Sequence, residues 1–320
     1  MGTPPRTVAI VGPTAMGKTP LAVAVALRLG DAELLNADSR QVIRDLVVGT
    51  CAPTDSELRG VPCHLLGVRD PQQPYSVADW VAGARAVLSQ LDGRGVRAIV
   101  VGGTGLYVSA LVDGLDLGGV PPDPARRRQR LEASMGNGGV DVLGDELRDR
   151  DPQGAAAVDL RNPRRVIRAL EILDARGGQL QAARGRVGGR DALLIGLDAP
   201  RDVADQLIEV RSRRMLESGA LIDEVHSAMA RGIPRDALES AGIGYREALA
   251  VVDGSLTLEA AVDALIRRTR RYAKTQRTWF RRDPRIRWLE RGAGPADALV
   301  DEVIDAIHQD ARSGQRLSGR

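Results

Sequence analysis

The sequence predicts an α/β protein: a P-loop-type parallel sheet with helices on both faces, plus a helical insertion domain. Three observations predict it. The stretch from Gly12 to Thr19 reads G-x-x-x-x-G-K-T and stands between an apolar run and a helical pattern. Short apolar runs then alternate with helical patterns, as βαβ units require. Between residues 118 and 190 that alternation gives way to a segment rich in Gly, Arg and Asp with amphipathic helices.

Thr7–Val11 is a continuous apolar run bounded by a glycine and reads as a buried strand. Leu21–Leu29 follows as a helix with Gly30 as its stop. Between them Gly12, Pro13, Thr14, Ala15, Met16, Gly17, Lys18 and Thr19 form a phosphate cradle. Its glycines let backbone N–H groups converge on phosphate oxygens, and the helix N-terminus adds partial positive charge. Lys18 supplies a point charge and the Thr19 hydroxyl a ligand for Mg²⁺. Pro20 falls in the first helical turn, where a missing N–H costs little. Neither Pro20 nor Met16 has a role legible in the sequence.

Glu33–Asn36 is the second strand, with Asp38 just beyond it in "LLNADSRQ". Val77–Leu91 is a helix, Arg97–Val101 a strand, and Pro163–Ala175 a helix with Asn162 as cap and Pro163 at its first position. Leu193–Leu197 is a further strand, followed by helices over Arg201–Ser218, Leu221–Arg231 and Leu258–Arg282. The expected organisation is a catalytic core of residues 1–117 and 191–311, an insertion of 118–190, and a flexible tail of 312–320.

Composition narrows the function. Hydrophobic content of 43% over 320 residues suits a globular protein with a sizeable core. Nothing before Thr7 resembles a signal peptide, and no apolar run approaches membrane-spanning length. Cys51 and Cys63 have no metal-site spacing, and with three scattered histidines they argue for a reducing cytoplasm and against a zinc site. The net charge of +3 hides an asymmetry: Arg267 to Arg291 holds eleven Lys/Arg against Asp283 and Glu290. A local basic block of that kind marks a polyanionic partner.

A P-loop NTPase pairs its cradle with a strand ending in a carboxylate that helps hold Mg²⁺. The corresponding strand here, in "AIVVGGTGLY", ends in Gly102-Gly103-Thr104 and supplies none. Thr104 and Asp38 both stand at carboxyl ends of strands, where open α/β sheets bind ligands. A small-molecule kinase would also place a base at Asp38, and Asp38 could equally be a helix N-cap. Gly-Gly-Thr-Gly could equally be a simple turn.

The stretches "GPTAMGKT", "NADSRQV", "GVPCHLLGVRDPQQPYSVADW", "VVGGTGLYVSALVDGL", "NPRRVIRALEIL", "GIGYREAL" and "RRYAKTQRTWFRRD" occur in this order. Together, from about Val8 to Leu289, they closely resemble the tRNA dimethylallyltransferase family. The resemblance implies that the cradle holds the diphosphate of dimethylallyl diphosphate with Mg²⁺. The acceptor it implies is the exocyclic amine of the adenine 3′ of the anticodon in tRNA. It implies Asp38 as general base, Thr104 as donor to the bridging oxygen, and Arg211 on the diphosphate, with Arg213 and Arg214 close enough to be the true match. Ser39, Arg40 and Gln41 would contact a flipped nucleotide. Further tRNA contacts are implied at Arg127, Arg164, Arg165 and Arg168 of the insertion, and at Gly244, Tyr245 and Arg246. On the basic helix Arg270, Lys274, Arg277 and Arg281 share a face at i, i+4, i+7 and i+11, able to track phosphates. Trp279, Phe280 and Tyr272 would stack on loop bases or lie in the core. A cytoplasmic monomer is expected.

The chain departs from the family's usual "QVYRGMDIGTAKP", reading "QVIRDLVVGTCAPT", and "GVPHH" becomes "GVPCH". Ile43, Cys51 and Cys63 are the altered positions, on the acceptor side of the expected pocket. Three other readings compete: a cytokinin-type enzyme acting on free adenine nucleotides, a P-loop kinase, and a non-catalytic RNA-binding module.

Overall fold

In the computed structural model, residues 6–115, 120, 123–135, 139–177, 179–180 and 188–317 are described. The chain forms two compact units, residues 1–112 with 190–320, and residues 113–189. The expected insertion, 118–190, falls within a few residues of the second.

The first unit opens with β1 (Thr7–Val11), α1 (Lys18–Leu29), β2 (Ala32–Asn36), α2 (Asp55–Leu58), β3 (Cys63–His64), α3 (Val77–Arg94), β4 (Arg97–Gly102) and α4 (Gly105–Val112). The second unit holds α5 (Pro124–Met135), α6 (Gly139–Arg150), α7 (Pro152–Ala156) and α8 (Pro163–Arg176). The first then resumes with β5 (Ala192–Asp198), α9 (Arg201–Glu217), α10 (Ala220–Ala230), α11 (Arg235–Ala241), α12 (Tyr245–Val252) and α13 (Leu258–Phe280). It closes with β6 (Arg287–Glu290), a 3₁₀ turn (Ala296–Leu299) and α14 (Val300–Leu317).

The six strands pair in the order β3-β2-β4-β1-β5-β6, all parallel. Every residue of β1 is buried, as a central parallel strand requires. Val8, Ile10, Ile99, Val101, Ile195 and Leu197 alternate along their strands and so share a face, packing with Leu21 and Val25 of α1 and Val303 and Ile307 of α14. On α3, which packs on β4, Trp80 is fully buried, donates to the Asn36 carbonyl at 2.9 Å, and stacks on Tyr107 of α4 at 4.6 Å. Helix signals act as expected: Gly30 ends α1 at φ 79°, and Asn162 caps α8 by accepting from the Arg165 N–H at 3.3 Å.

Three expectations change. The edge strands β3 and β6 are too short to show a period and were not anticipated. The tail expected from Arg312 is helical through Leu317, and residues 318–320 lie outside the described residues. No helix follows Asp38, so the helix-cap alternative for that residue is excluded.

The second unit has its own core of Leu143, Leu147, Val166, Ile167, Leu170 and Leu173. Beside it Glu171, 4% exposed, accepts a fork of two bonds from Arg127, at 2.8 and 2.6 Å, and pairs with Arg168 at 3.2 Å. Arg127 and Arg168, the expected tRNA contacts, thus also neutralise a buried carboxylate while their side chains stay 41% and 32% exposed. Arg165 is exposed and within 3.8 Å of Asp159, and Arg164 is exposed.

Candidate active site

The cradle follows β1 and its shape is set by close packing. A Cβ on Gly12, at φ 138°, would stand 2.2 Å from the Leu197 carbonyl oxygen of β5. Gly17, at φ 78°, has Ala296 and the Arg291 guanidinium against it. Ala15 takes the left-handed region at φ 67°, uncommon for a residue with a side chain. Met16 is fully buried in the main core, and its carbonyl accepts from Arg291 Nη1 at 3.1 Å. Met16 thus anchors the loop from below, a role the sequence did not disclose.

A cavity of about 370 Å³ opens above the cradle, lined by Thr14, Ala15, Gly17, Lys18, Thr19 and Pro20 on one side. Asp38, Gln41, Cys51, Gly102 and Arg211 contribute to the remainder. Three strand ends converge here because β2, β4 and β1 are neighbours in a parallel sheet. Lys18 Nζ donates to the Pro13 carbonyl at 2.7 Å. Burial pushes the Lys18 ammonium down to about 8, against the pull of Asp38 and with the repulsion of Arg211.

Arg211, from α9, donates from Nη2 to the Thr14 hydroxyl at 2.7 Å, while its buried Nε has no partner among the described residues. Arg213 pairs with Glu209 and Glu217 on the helix exterior, and Arg214 is exposed. Arg211 is therefore the arginine of that helix at the cradle. Asp38 lies in a turn, with Oδ1 accepting from the Arg40 N–H at 2.9 Å. The Ser39 N–H donates to Thr104 Oγ1 at 2.9 Å, and the Thr104 N–H to the Ala37 carbonyl at 3.1 Å. These bonds lock the Asp38 turn to the Thr104 loop. Gln41 donates to the Cys51 carbonyl at 2.7 Å and fixes the opposite wall.

Several expected acceptor contacts are placed elsewhere. Tyr245 is fully buried, its hydroxyl donating to Glu224 at 2.7 Å, and burial pushes that phenol well above its ordinary range. Gly244 is buried too, and of that trio Arg246 alone is exposed, 3.8 Å from Glu239. On the basic helix, Arg270 pairs with Asp205 at 3.2 Å and Arg277 with Asp198 at 2.7 Å. Arg281 reaches Asp198 at 3.2 Å and lies over the Trp288 ring. Burial alone would raise the Asp198 carboxyl, but Arg277, the Ala199 N–H and Arg281 outweigh it and hold it below the usual range. Of the four expected cations, Lys274 alone has no ion pair among the described residues. The exposed residues Arg267, Arg271 and Lys274 share that property, at i, i+4 and i+7, and form the free stripe instead. Phe280 is core at 3% exposure, while Trp279 is exposed, its indole seated over Gly105 at the start of α4. Tyr272 is half-buried, its phenol raised by burial and by Asp38.

Sequence reasoning missed three supports. Glu224 accepts from the Val47, Val48 and Gly49 N–H groups at 2.6, 2.8 and 3.0 Å and so shapes the loop that carries Thr50, Cys51 and Pro53 into the cavity. Arg291 and Gln276 hold the cradle from outside, Gln276 by accepting from the Thr14 N–H at 2.8 Å. Each is an ordinary polar residue on an amphipathic element, and no local signal singles it out. Of the departures, Ile43 is buried, Cys63 sits on the edge strand with its thiol pushed up to about 12 by burial, and Cys51 alone lines the cavity.

Among the described residues no group of three or more His, Cys, Asp or Glu could hold a metal, and no helix is long and apolar enough to cross a membrane. The Thr19 hydroxyl at the cradle, together with substrate oxygens, would be an oxygen donor set that suits Mg²⁺.

Known proteins resemble this chain over most of its length. The IPP transferase family model matches residues 41–283, and an isopentenyl transferase model matches residues 5–70. A tRNA dimethylallyltransferase of Thermobifida fusca is 41% identical over 307 residues, covering 94% of this chain and 93% of that protein. The solved tRNA isopentenylpyrophosphate transferase of Bacillus halodurans is 38% identical with a TM-score of 0.68, covering 97% of this chain and 99% of that one. A eukaryotic dimethylallyltransferase solved acting on tRNA is 25% identical with a TM-score of 0.74, covering 99% of this chain and 80% of that one. The chain belongs to the tRNA dimethylallyltransferase family of prenyltransferases.

Proposed function

We propose that this protein transfers a dimethylallyl group from dimethylallyl diphosphate to N6 of the adenosine 3′ of the anticodon, in tRNAs reading codons that begin with U. The observation that carries the reading is one cavity holding Lys18, Thr19, Asp38 and Arg211, with glycines where an NTPase would place its metal-binding acid. The donor's diphosphate lies in the cradle, contacted by Lys18, Arg211 and backbone N–H groups. Carbon rather than phosphorus is attacked, so diphosphate leaves. Asp38 takes the proton from the exocyclic amine as the C–N bond forms. Thr104, whose hydroxyl accepts from the Ser39 N–H at 2.9 Å and donates to Ser39 Oγ at 3.2 Å in the free protein, exchanges the bond to Ser39 Oγ for one to the bridging oxygen when the diphosphate is bound. The Thr19 hydroxyl would hold a Mg²⁺ ion, which would supply Lewis-acid stabilisation of the leaving charge. Gln41 and Cys51 border the place of the adenine, which is flipped from its stack. Such a reaction belongs in the cytoplasm, where unmodified tRNA is found.

Incubation with dimethylallyl diphosphate, Mg²⁺ and unmodified tRNA yields prenylated adenosine, whereas AMP is not modified. Prenylation of AMP without modification of tRNA overturns the reading. The stripe Arg267, Arg271 and Lys274 contacts tRNA phosphates. Arg271→Ala with Lys274→Ala lowers the slope of log K against log salt by about two, with donor affinity unchanged. An unchanged slope removes the stripe from the RNA interface.

A further inference from the structure

We propose that Gln276 is a positioning residue of the donor site, its amide tying the cradle loop to the loop that carries Thr104 so that both act on one diphosphate. The proposal rests on the donor-site reading above. Gln276 is 5% exposed and both ends of its amide are spent on backbone groups, so it acts through those groups and not on substrate itself. Its Oε1 accepts from the Thr14 N–H at 2.8 Å, and its Nε2 donates to the Gly103 carbonyl at 2.9 Å. A backbone N–H can only donate and a carbonyl can only accept, so the two partners fix which way the amide points. A Cβ on Gly103 would stand 2.2 Å from Nε2, so the close approach of the two segments depends on that glycine.

The helix that carries Gln276 is itself held firmly. One residue further, Arg277 forks onto Asp198 at the end of β5, and Phe280 is sunk in the core. Each loop that Gln276 joins holds or carries a group that the donor-site reading assigns to the diphosphate. Thr14 takes Arg211 on its hydroxyl, and the residue after Gly103 is Thr104. Leaving-group stabilisation needs Arg211 and Thr104 at a set separation, and errors of about 1 Å in such a separation can cost about a hundredfold in rate. A buried glutamine that merely satisfied its own polar atoms would affect stability alone.

Two variants test this beside the wild type. Gln276→Met keeps the volume and removes both bonds. Gln276→Glu keeps the bond from the Thr14 N–H but sets a carboxylate against the Gly103 carbonyl. In single-turnover transfer from dimethylallyl diphosphate to tRNA, both variants are expected to slow by at least about tenfold. Their affinity for inorganic pyrophosphate stays within about threefold of wild type, because Lys18 and the remaining cradle groups are intact. In hydrogen exchange without substrates, the Thr14 amide loses protection in Gln276→Met and keeps it in Gln276→Glu. A rate within about twofold of wild type, at whatever melting temperature, makes Gln276 structural and overturns the proposal. Pyrophosphate affinity falling in step with the rate assigns Gln276 to building the cradle and overturns it as well. If the wild type itself transfers nothing, the donor-site reading fails, while the exchange pattern still decides whether the Thr14 tie exists.

Discussion

Asp38→Asn is expected to lower the single-turnover rate of dimethylallyl transfer by about a thousandfold while leaving tRNA binding within about twofold of wild type. The aromatic amine is a weak nucleophile whose proton must leave as carbon bonds to it. Asparagine has the same shape and still accepts the Arg40 N–H now bound at 2.9 Å, so the turn survives. What it cannot do is take a proton. Because Asp38 supports the charge of Lys18, its removal also leaves the ammonium easier to deprotonate, and the donor gains no competitor for the cradle. Rapid-quench measurement with radiolabelled donor reads the chemical step apart from release. A rate within about tenfold of wild type assigns the base elsewhere, and lost tRNA binding makes Asp38 a structural residue.

The parts of this site legible in the sequence are those that local chain direction determines. The cradle is one continuous stretch between a strand and a helix, and its glycines are required by φ values and contacts within that turn. Asp38 and Thr104 were legible because parallel strands deliver their carboxyl ends to one edge. What stayed hidden depends on pairings over long separations. Gln276 meets Thr14 across 262 positions, Arg291 meets Met16 across 275, and Glu224 meets Val47 across 177. Periodicity on α13 correctly put Arg270, Lys274, Arg277 and Arg281 on one face, but period alone does not say what that face meets. Asp198 and Asp205 lie against it and pair with Arg270, Arg277 and Arg281, so the free cations Arg267, Arg271 and Lys274 form an adjoining line that shares only Lys274 with the first. The same logic hid the role of Glu171, whose burial among apolar helices required Arg127 from 44 positions away.

Lys18→Met is the substitution with the largest expected loss, about ten-thousandfold in kcat/KM for dimethylallyl diphosphate. A desolvated ammonium on a phosphate contributes in two ways. It binds the ground state through a charge-assisted bond, at about 10- to 100-fold in affinity. It then stabilises the further charge that gathers on the bridging oxygen as carbon departs, at about a hundredfold or more in rate. The environment of Lys18 adds a pH signature that separates this role from simple packing. Burial holds its ammonium down to about 8 in the free protein, so the binding form predominates below that pH and is lost as pH rises through it. An anionic diphosphate draws the proton back, and binding above pH 8 takes up one proton. The logarithm of donor affinity is therefore flat below about pH 7 and falls with a slope approaching one per pH unit above about 8.5. Methionine has no proton to lose, so the variant's profile lacks that limb and lies below the wild type's at neutral pH. The limb also moves to lower pH in Asp38→Asn, because the carboxylate that favours the charged lysine is gone. Calorimetric titration of the donor from pH 6.5 to about 9.5 reads all three profiles. A limb that persists in Lys18→Met belongs to another group and removes Lys18 from diphosphate binding.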